Sequence, residues 1–517
     1  MKIIDFLDRG AAISQDGLCL HDDTHGYSYR ETVKLTNKIA YALRANGLTP
    51  GKKVAVYSPN DVEGFVAVLG IHRSDCIWIV INARNTVADN IALLNRYEAE
   101  WLFYHSDIEQ HLPAIAAAVP SLKGHVCVDR RTEHSPALLQ WCEPHSDAPI
   151  PSGTNYLSPI RIASTGGTTG APRGVVQSNL TLQTVVSNIS AHMPYDEPPR
   201  YLCASPMTHA GGGVCYTILA FGGSVFMMKK PDPLAVMECI ERHRIVSTLL
   251  PPTLIYMILA HPRVRDFDYS SLKYLIYGAS PMSTSKLREA MQVFGPVMCQ
   301  LYGQTEAAMS MAFMSAADHA EAVSSLKKSK RLESCGRPTM HTMVEVMDDN
   351  GNLLGPNEIG EIVVRSNIVM MEYYNDPEAT RESRLFGWHH TSDLGYKDED
   401  GFVYLVDRKK DMIITGGFNI YPSEVERVIL MRAEVLDCAV IGVPDDKWGE
   451  ALKAIVQLKP GTALDTDELL ATVKAQLGSV KTPKSVEIWP DLPKSAVGKV
   501  LKREIRGKFW QGHERKI

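Results

Sequence analysis

The sequence has no uninterrupted apolar stretch of the length a membrane helix needs, about 18 residues, so no spanning segment is expected. No two of its 10 cysteines stand at C-x-x-C spacing, which removes zinc ribbons and dithiol redox motifs from consideration. Basic residues are not in excess: 54 Lys and Arg against 59 Asp and Glu give a net charge of −5, and nothing draws the chain as a whole to nucleic acid. The chain also lacks a G-x-S-x-G nucleophile elbow, an H-E-x-x-H zinc motif, and a G-x-G-x-x-G at its first β-α turn. Those absences count against serine hydrolases, zinc peptidases and dinucleotide-binding dehydrogenases. The amino terminus, Met1-Lys2-Ile3-Ile4-Asp5-Phe6-Leu7-Asp8-Arg9, carries acid where an export signal would be apolar. Scattered cysteines with mostly apolar neighbours read as reduced, buried thiols, and a cytoplasmic location is expected.

What is present is material for large cores: 517 residues, 45% of them apolar and 22% charged. From Lys52 short apolar runs alternate with amphipathic stretches: Val54 to Tyr57, Val62 to His72, Ile77 to Ile81, Val87 to Arg96, Trp101 to Tyr104. That order, β-α-β-α-β, predicts a doubly wound parallel sheet. A second set follows, with strands at Ile245 to Leu250, Tyr274 to Tyr277 and Val297 to Leu301 and a helix opened by Ser283. After about residue 340 shorter alternating strands with an Asp349-Asn350-Gly351 turn predict an antiparallel β subdomain. From Asp411 onward the pattern is a small α+β unit, with helices at Ser423 to Met431 and Asp465 to Leu477. The expected architecture is α/β: a large N-terminal part, 1–409, of doubly wound sheets plus a β subdomain, then a small C-terminal domain, 411–517.

The densest unusual segment is Ser164-Thr165-Gly166-Gly167-Thr168-Thr169-Gly170-Ala171-Pro172-Arg173-Gly174, directly after a short strand at Ile160 to Ala163. Its glycines allow backbone amides to turn outward, its hydroxyls donate to oxyanions, and Arg173 adds a forked charge, so polyphosphate is the natural guest. It is not a Walker A loop, because Gly170 is followed by Ala171-Pro172 and not by Lys-Ser/Thr. Read blandly, the same run is a flexible linker. Three further clusters are ordinary one by one: Tyr302-Gly303-Gln304-Thr305-Glu306 at a strand end, Thr391-Ser392-Asp393, and Pro493 to Lys499 near the carboxyl terminus. A strand-end Tyr is usually core, a Thr-Ser-Asp usually a turn, and a Lys after Gly usually solvated.

In this order, joined by Gly360-Glu361-Ile362 and by the stretch from Asp407 to Pro422, these clusters resemble the adenylate-forming superfamily over nearly the whole chain. Acyl-CoA synthetases of the fatty-acyl and aryl type are the nearest in pattern. The resemblance implies two steps: a carboxylate attacks the α-phosphate of MgATP to give acyl-AMP and pyrophosphate, then the thiol of CoA expels AMP. It implies that Thr165, Gly166, Gly167, Thr168, Thr169, Gly170, Arg173 and Gly174 cradle phosphates, with Tyr302, Gly303 and Gln304 beside the adenine. Thr305 would bond the α-phosphate, Glu306 would hold Mg²⁺, and Asp393 and Arg408 would take the ribose. Lys499 would stabilise the adenylation transition state, Lys410 would be the hinge, and Gly416 and Gly417 would line the CoA channel. The acyl pocket would be formed by His209, Gly211, Gly212, Gly278, Ala279, Ser280, Leu301 and Gln304, with His209 as its gate.

The pattern is not copied throughout. Arg173 stands where relatives usually carry Lys, Gly166 where they carry Ser, Ser392 where Gly is common, and Leu301 where many have Gly before the Tyr. Leu301 and Gln304 are expected to narrow the pocket toward a short, medium or compact cyclic acid, while Gly211, Gly212, Gly213 and Gly278 with Ala279 are expected to leave open space. The expected partners are a small carboxylate, ATP and CoA, with a homodimer left open. Two rival readings remain: an adenylating enzyme that loads a carrier protein, and a nucleotide-binding scaffold without turnover. An amino-acid substrate is disfavoured, because Pro206 to Gly213 offers no Asp for an α-amino group. Retention of Lys499, Glu306, Thr305 and Asp393 disfavours the scaffold.

Overall fold

The computed structural model describes residues 1–165, 172–445, 447–494 and 500–511. These residues form four sheets and divide into two compact units, the first built from 1–165, 173–344 and 364–389, the second from 345–363 and the described residues from 390 onward.

The first unit holds two large sheets with parallel centres. One has seven strands in the order Glu372–Tyr373, Gly174–Ser178, Pro159–Ser164, Ile77–Val80, Lys53–Tyr57, Trp101–Tyr104 and Gly124–Cys127. From Pro159–Ser164 to Gly124–Cys127 its strands pair in parallel, and Ile77–Val80 and Trp101–Tyr104 are buried at every position. Continuous burial is what crossover helices on both faces impose, and it explains why these strands read as unbroken apolar runs. The helix Val62–Arg73 is such a crossover, started by the Asp61 carboxylate, which accepts from the Gly64 amide at 2.8 Å. The other sheet has nine strands, with Met298–Tyr302, Tyr274–Gly278, Ser247–Leu249, Arg200–Cys203, Ser224–Met227 and Leu18–His21 parallel in that order. Tyr302 and Gly278 are the carboxyl-terminal residues of their strands, the end at which open parallel sheets bind ligands.

In the second unit the turn at Asp348 to Asn352 is the expected one. The Asp348 carboxylate accepts from the amides of Asn350 and Asn352, and Gly351 has φ +88°. The carboxyl-terminal sheet orders Phe418–Ile420, Ile413–Thr415, Gly449–Leu458 and Val435–Asp445, with Ser485–Ile488 added beside Gly449–Leu458. Helices Pro422–Ile429 and Thr466–Leu477 close its core through Val425, Ile429, Leu469 and Val473, packed on Val440 and Leu452.

The architecture is therefore α/β with doubly wound sheets and a small α+β end. The bounds of the compact units differ from the expected division at 409 and 411, because residues 345–363 and 390–408 group with the carboxyl-terminal unit. Their strand Val403–Arg408 is tied to the helix that follows: the Ser423 amide donates to Asp407 at 2.8 Å and the Ser423 hydroxyl donates to the Val406 carbonyl. No described helix is long and apolar enough to cross a membrane.

Candidate active site

The Gly-rich segment joins two antiparallel strands, Pro159–Ser164 and Gly174–Ser178, with Ser164 opposite Gly174. Its mouth is closed from both sides: the Thr165 amide donates to the Arg173 carbonyl at 2.9 Å, and the Arg173 amide donates to the Thr165 hydroxyl at 3.2 Å. Gly174 is required by packing, since a Cβ there would lie 2.5 Å from the Tyr97 ring. Gly166, Gly167, Thr168, Thr169 and Gly170 lie outside the described residues.

Arg173 is exposed, as a phosphate ligand must be, yet it is aimed. Its Nε lies 3.3 Å from the Asp376 carboxylate and its guanidinium 5.2 Å from the centre of the Tyr373 ring. The Tyr373 phenol donates to Oε1 of Glu306 at 3.1 Å. Burial, followed by the Glu306 carboxylate, pushes the Tyr373 pKa well up, so the phenol stays protonated and remains a donor. The loop mouth, Tyr373 and the expected metal ligand are thus one connected group. Gln177 ties the same strand to the Tyr302 to Glu306 block by donating from Nε2 to the Thr305 carbonyl at 2.8 Å, and the Met370 amide donates to the Glu306 carbonyl at 2.7 Å. Thr305 and Glu306 are half-buried and Tyr302 is buried at its strand end. Gly303 admits no side chain, because a Cβ would sit 2.3 Å from the Met309 backbone. Gln304 donates its amide to the Ala307 carbonyl at 3.1 Å, which closes the turn that presents Thr305.

Glu306 offers Mg²⁺ a hard, half-buried carboxylate with one oxygen steadied by a phenol. That donor suits an ion which keeps several waters and takes one or two carboxylates plus substrate phosphates.

His209 immediately precedes the helix Ala210–Ala220, and its Nδ1 lies 2.9 Å from the Thr208 hydroxyl. Burial, then the charges of Arg161 and Arg84, push its pKa down to about 4, so the ring is neutral near pH 7. His209 and Gly212 line one cavity, together with Arg161, Trp78 and Tyr216. Gly211, Gly278, Ala279, Ser280, Leu301 and Gln304 are not among its walls. The expectation that the glycines leave open space is corrected. A Cβ on Gly211 would fall 2.7 Å from the Ser205 carbonyl, on Gly212 1.8 Å from the Met207 carbonyl, on Gly213 2.2 Å from the Met309 sulfur and on Gly278 2.5 Å from the Leu301 carbonyl. These positions are glycine because other chain atoms occupy the space. Ala279 is exposed at φ +66°, Ser280 is half-buried, and Leu301 is buried in its strand.

In the second unit Asp393 and Arg408 face each other across two antiparallel strands, with Nε of Arg408 2.7 Å from Oδ1 of Asp393. Ser392 holds φ +59°, which is the conformation a glycine at that position would take without strain. Lys410 is exposed in a turn, and its carbonyl accepts from Arg506 at 3.3 Å. Gly416 and Gly417, at φ +55° and +83°, form the two-residue turn between Ile413–Thr415 and Phe418–Ile420. Lys499 lies outside the described residues. The positions bracketing it are fixed by the pairing of Lys494 with Val500 and by the Leu501 amide, which donates to the Pro493 carbonyl at 2.8 Å.

Residues 7–374 match the model of the AMP-binding enzyme family, and residues 424–499 match that of the AMP-binding enzyme C-terminal domain. The chain belongs to the AMP-binding enzyme family. Within it, a medium/long-chain-fatty-acid–CoA ligase of Mycobacterium tuberculosis is 39% identical over 406 residues, 77% of this chain and 68% of that protein. A feruloyl-CoA synthase of Amycolatopsis sp is 34% identical over 509 residues, 97% of this chain and 98% of that one. Among solved structures, the amide bond synthetase McbA of Marinactinospora thermotolerans superposes with a TM-score of 0.87 at 28% identity, covering 98% of this chain and 100% of its own.

Sequence reasoning missed Tyr373, Asp376 and Gln177, which hold Arg173, Glu306 and Thr305 in relation to one another. Glu372-Tyr373-Tyr374-Asn375-Asp376 has neither glycine nor periodicity to mark it. The roles of these residues exist only because a two-residue strand at Glu372–Tyr373 pairs with Gly174–Ser178.

Proposed function

We propose that this chain is an AMP-forming acid–thiol ligase. A carboxylate oxygen attacks the α-phosphorus of ATP, the bond to the β-phosphate oxygen breaks, and pyrophosphate leaves. The thiolate of CoA then attacks the acyl carbon, the acyl–phosphate bond breaks, and AMP leaves. Phosphoryl chemistry of this kind needs placement and charge neutralisation more than covalent help, which is what the residues supply. Arg173 and the amides and hydroxyls from Thr165 to Gly174 take the β- and γ-phosphates. Thr305 donates to the α-phosphate, Tyr302 lies against adenine, and Asp393 with Arg408 takes the ribose hydroxyls. Glu306 holds Mg²⁺, which supplies neutralisation of phosphate charge. Lys499 stabilises the charge that builds up during adenylation, and rotation about Lys410 then exchanges it for the face carrying Gly416 and Gly417. CoA needs no dedicated base, because a thiol with pKa near 8.5 is already a few per cent thiolate at neutral pH.

The observation that carries this reading is the joining of the loop mouth to Glu306 through Tyr373: two motifs far apart in sequence converge on one polyphosphate-and-metal chemistry. A reducing cytoplasm is the proposed location, supported by ten cysteines that are all buried thiols. The test is a mass-spectrometric assay of a carboxylate panel with ATP and Mg²⁺, with and without CoA. Acyl-CoA and AMP forming only when CoA is present is the expected result. Acyl-AMP accumulating despite CoA would point to a carrier-protein acceptor, and no AMP with any acid would overturn the proposal.

A further inference from the structure

The cavity beside His209 is built in an unusual way for a pocket that receives a hydrocarbon chain. Arg161, on the strand Pro159–Ser164, extends its guanidinium over the ring of Trp78, 5.1 Å from the centre, and donates from Nη2 to the Thr208 carbonyl at 2.8 Å. Among the described residues no carboxylate forms an ion pair with it, and its buried Nε has no hydrogen-bond partner. Two more wall residues have the same deficit. The indole Nε1 of Trp78 and the phenol of Tyr216 are buried without partners, in side chains that are only 2% and 4% exposed. Burial pushes the Tyr216 phenol pKa far up, so this group is a donor and not a counter-charge for Arg161. A guanidinium keeps its charge when buried, and buried charges and donors are ordinarily matched. Three unmatched donors, one of them on a cation, line a single void whose one other side chain with a hydrogen-bonding nitrogen or oxygen is the neutral ring of His209, and no negative charge is among them.

The cavity is about 10 Å³, room for one water-sized atom. An alkyl end placed there would leave every donor unmatched. A lone water would accept two hydrogen bonds and neutralise nothing. An oxygen carried by the substrate, best of all a charged one, answers the whole set. His209 and Gly212, two of the residues expected in the acyl pocket, line this same void, which puts it beside the acyl site of the proposed ligase. The rest of the wall is apolar, from Ile3, Leu182, Val185 and Val186 with Met207 and Met309, and the two unbranched methionines are the side chains able to shift for a larger terminal group.

We infer that the acid this enzyme activates carries an acceptor oxygen at the end remote from the reacting carboxylate, a second carboxylate or an oxo group, and that Arg161 with Tyr216 and Trp78 binds it. The inference rests on the ligase reading above and narrows its substrate class. Arg161 sets specificity; it takes no part in the bond-making steps.

The test uses the full chain with acids matched in length from four to eight carbons and ending in methyl, oxo or carboxylate groups, read as kcat/KM for pyrophosphate release and as acyl-CoA mass. Oxygen-ended acids should exceed their methyl-ended counterparts by at least about tenfold, and the carboxylate and oxo arms identify which oxygen is preferred. Arg161→Met should lower the ratio of carboxylate-ended to methyl-ended turnover by about a hundredfold, the usual loss when one partner of a desolvated charge pair is removed. Tyr216→Phe, which keeps the ring and its packing, should lower that ratio about tenfold and stands in if Arg161→Met does not fold. Methyl-ended acids preferred by the wild type, or a variant that slows all acids equally, would overturn the inference while leaving the ligase intact. Turnover of no acid at all would bring down the ligase reading and this one with it.

Discussion

Tyr373 shows how one side chain couples two motifs. Its ring faces Arg173 and its hydroxyl donates to Glu306, so deleting the hydroxyl leaves the ring contact and removes the tether on the carboxylate proposed to bind the metal, together with the hydroxyl's own contact to Arg173. Tyr373→Phe should therefore lower the adenylation rate about tenfold and raise the Mg²⁺ concentration needed for half-maximal rate, the loss of one hydrogen bond to a charged group being worth about 1.5 kcal/mol. A Mg²⁺ titration of pyrophosphate release checks it, and an unchanged midpoint would separate Tyr373 from the metal. At this scale the sequence is uneven evidence. Arg173 was legible because it ends a glycine-rich run, and Glu306 because it closes a recognisable block. Tyr373 and Gln177 were not, because their significance is a partner in the turn after Met298–Tyr302, 67 or more residues distant in chain order. The glycines from 211 to 213 were misread for a related reason: sequence shows that a side chain is absent, while only structure shows what fills the space.

The carboxyl-terminal helix Lys502–Phe509 begins just after the segment that carries Lys499, and it must be anchored if that lysine is to be placed. Lys502 provides the anchor. Its Nζ lies 2.8 Å from Oε1 of Glu426 on helix Pro422–Ile429, and the same carboxylate accepts from the Val440 amide at 2.7 Å. Burial raises the Glu426 pKa while Lys502 works to lower it, the ordinary tension of an ion pair inside a small core. Lys502→Met should destabilise the carboxyl-terminal unit by about 3 kcal/mol, because it strands the carboxylate. Urea unfolding followed at the tryptophans, with hydrogen exchange to localise the loss to residues 411–494, checks the value and its place. Elements with a strong local period were readable to within a residue or two: helix Val87–Arg96 and strand Trp101–Tyr104 match their expected limits, and helix Thr466–Leu477 starts one residue after its Asp465 cap. The short pairings were not readable, because a strand of two residues has no period.

Across the molecule, burial of histidines sets how stability depends on pH. Burial pushes His21 down to about 4, His72 to about 3, His209 to about 4 and His319 to about 4. In the unfolded chain each would titrate near 6.5, so between pH 6.5 and 4 the unfolded state binds more protons and stability falls as pH is lowered. Asp61, pushed up by burial to about 7, Glu426, raised by burial, and His25, raised beside Glu63, act in the opposite sense, but they are three groups against seven, since burial also lowers His105, His125 and His192. Unfolding free energy should be complete above pH 7 and decline below pH 6.5 by about 1.4 kcal/mol per pH unit for each proton of net difference. Urea midpoints at pH 7.5, 6 and 5 measure it, and a flat profile would mean these histidines are not neutral in the folded state. The two-sheet architecture of the first unit was legible from alternating runs and breakers. The grouping of residues 390–408 with the carboxyl-terminal unit was not, since it depends on hydrogen bonds from Ser423 back to Asp407 and Val406.

The account as a whole stands on two half-reactions that use different residues, and they can be measured apart with Lys499→Ala. Acyl-AMP formation, read as carboxylate-dependent pyrophosphate release, should fall by at least about a thousandfold, the scale of losing a group that stabilises charge only in the transition state. Thioester formation from supplied acyl-AMP and CoA should stay within a few-fold of wild type. Equal loss of both half-reactions would contradict the account.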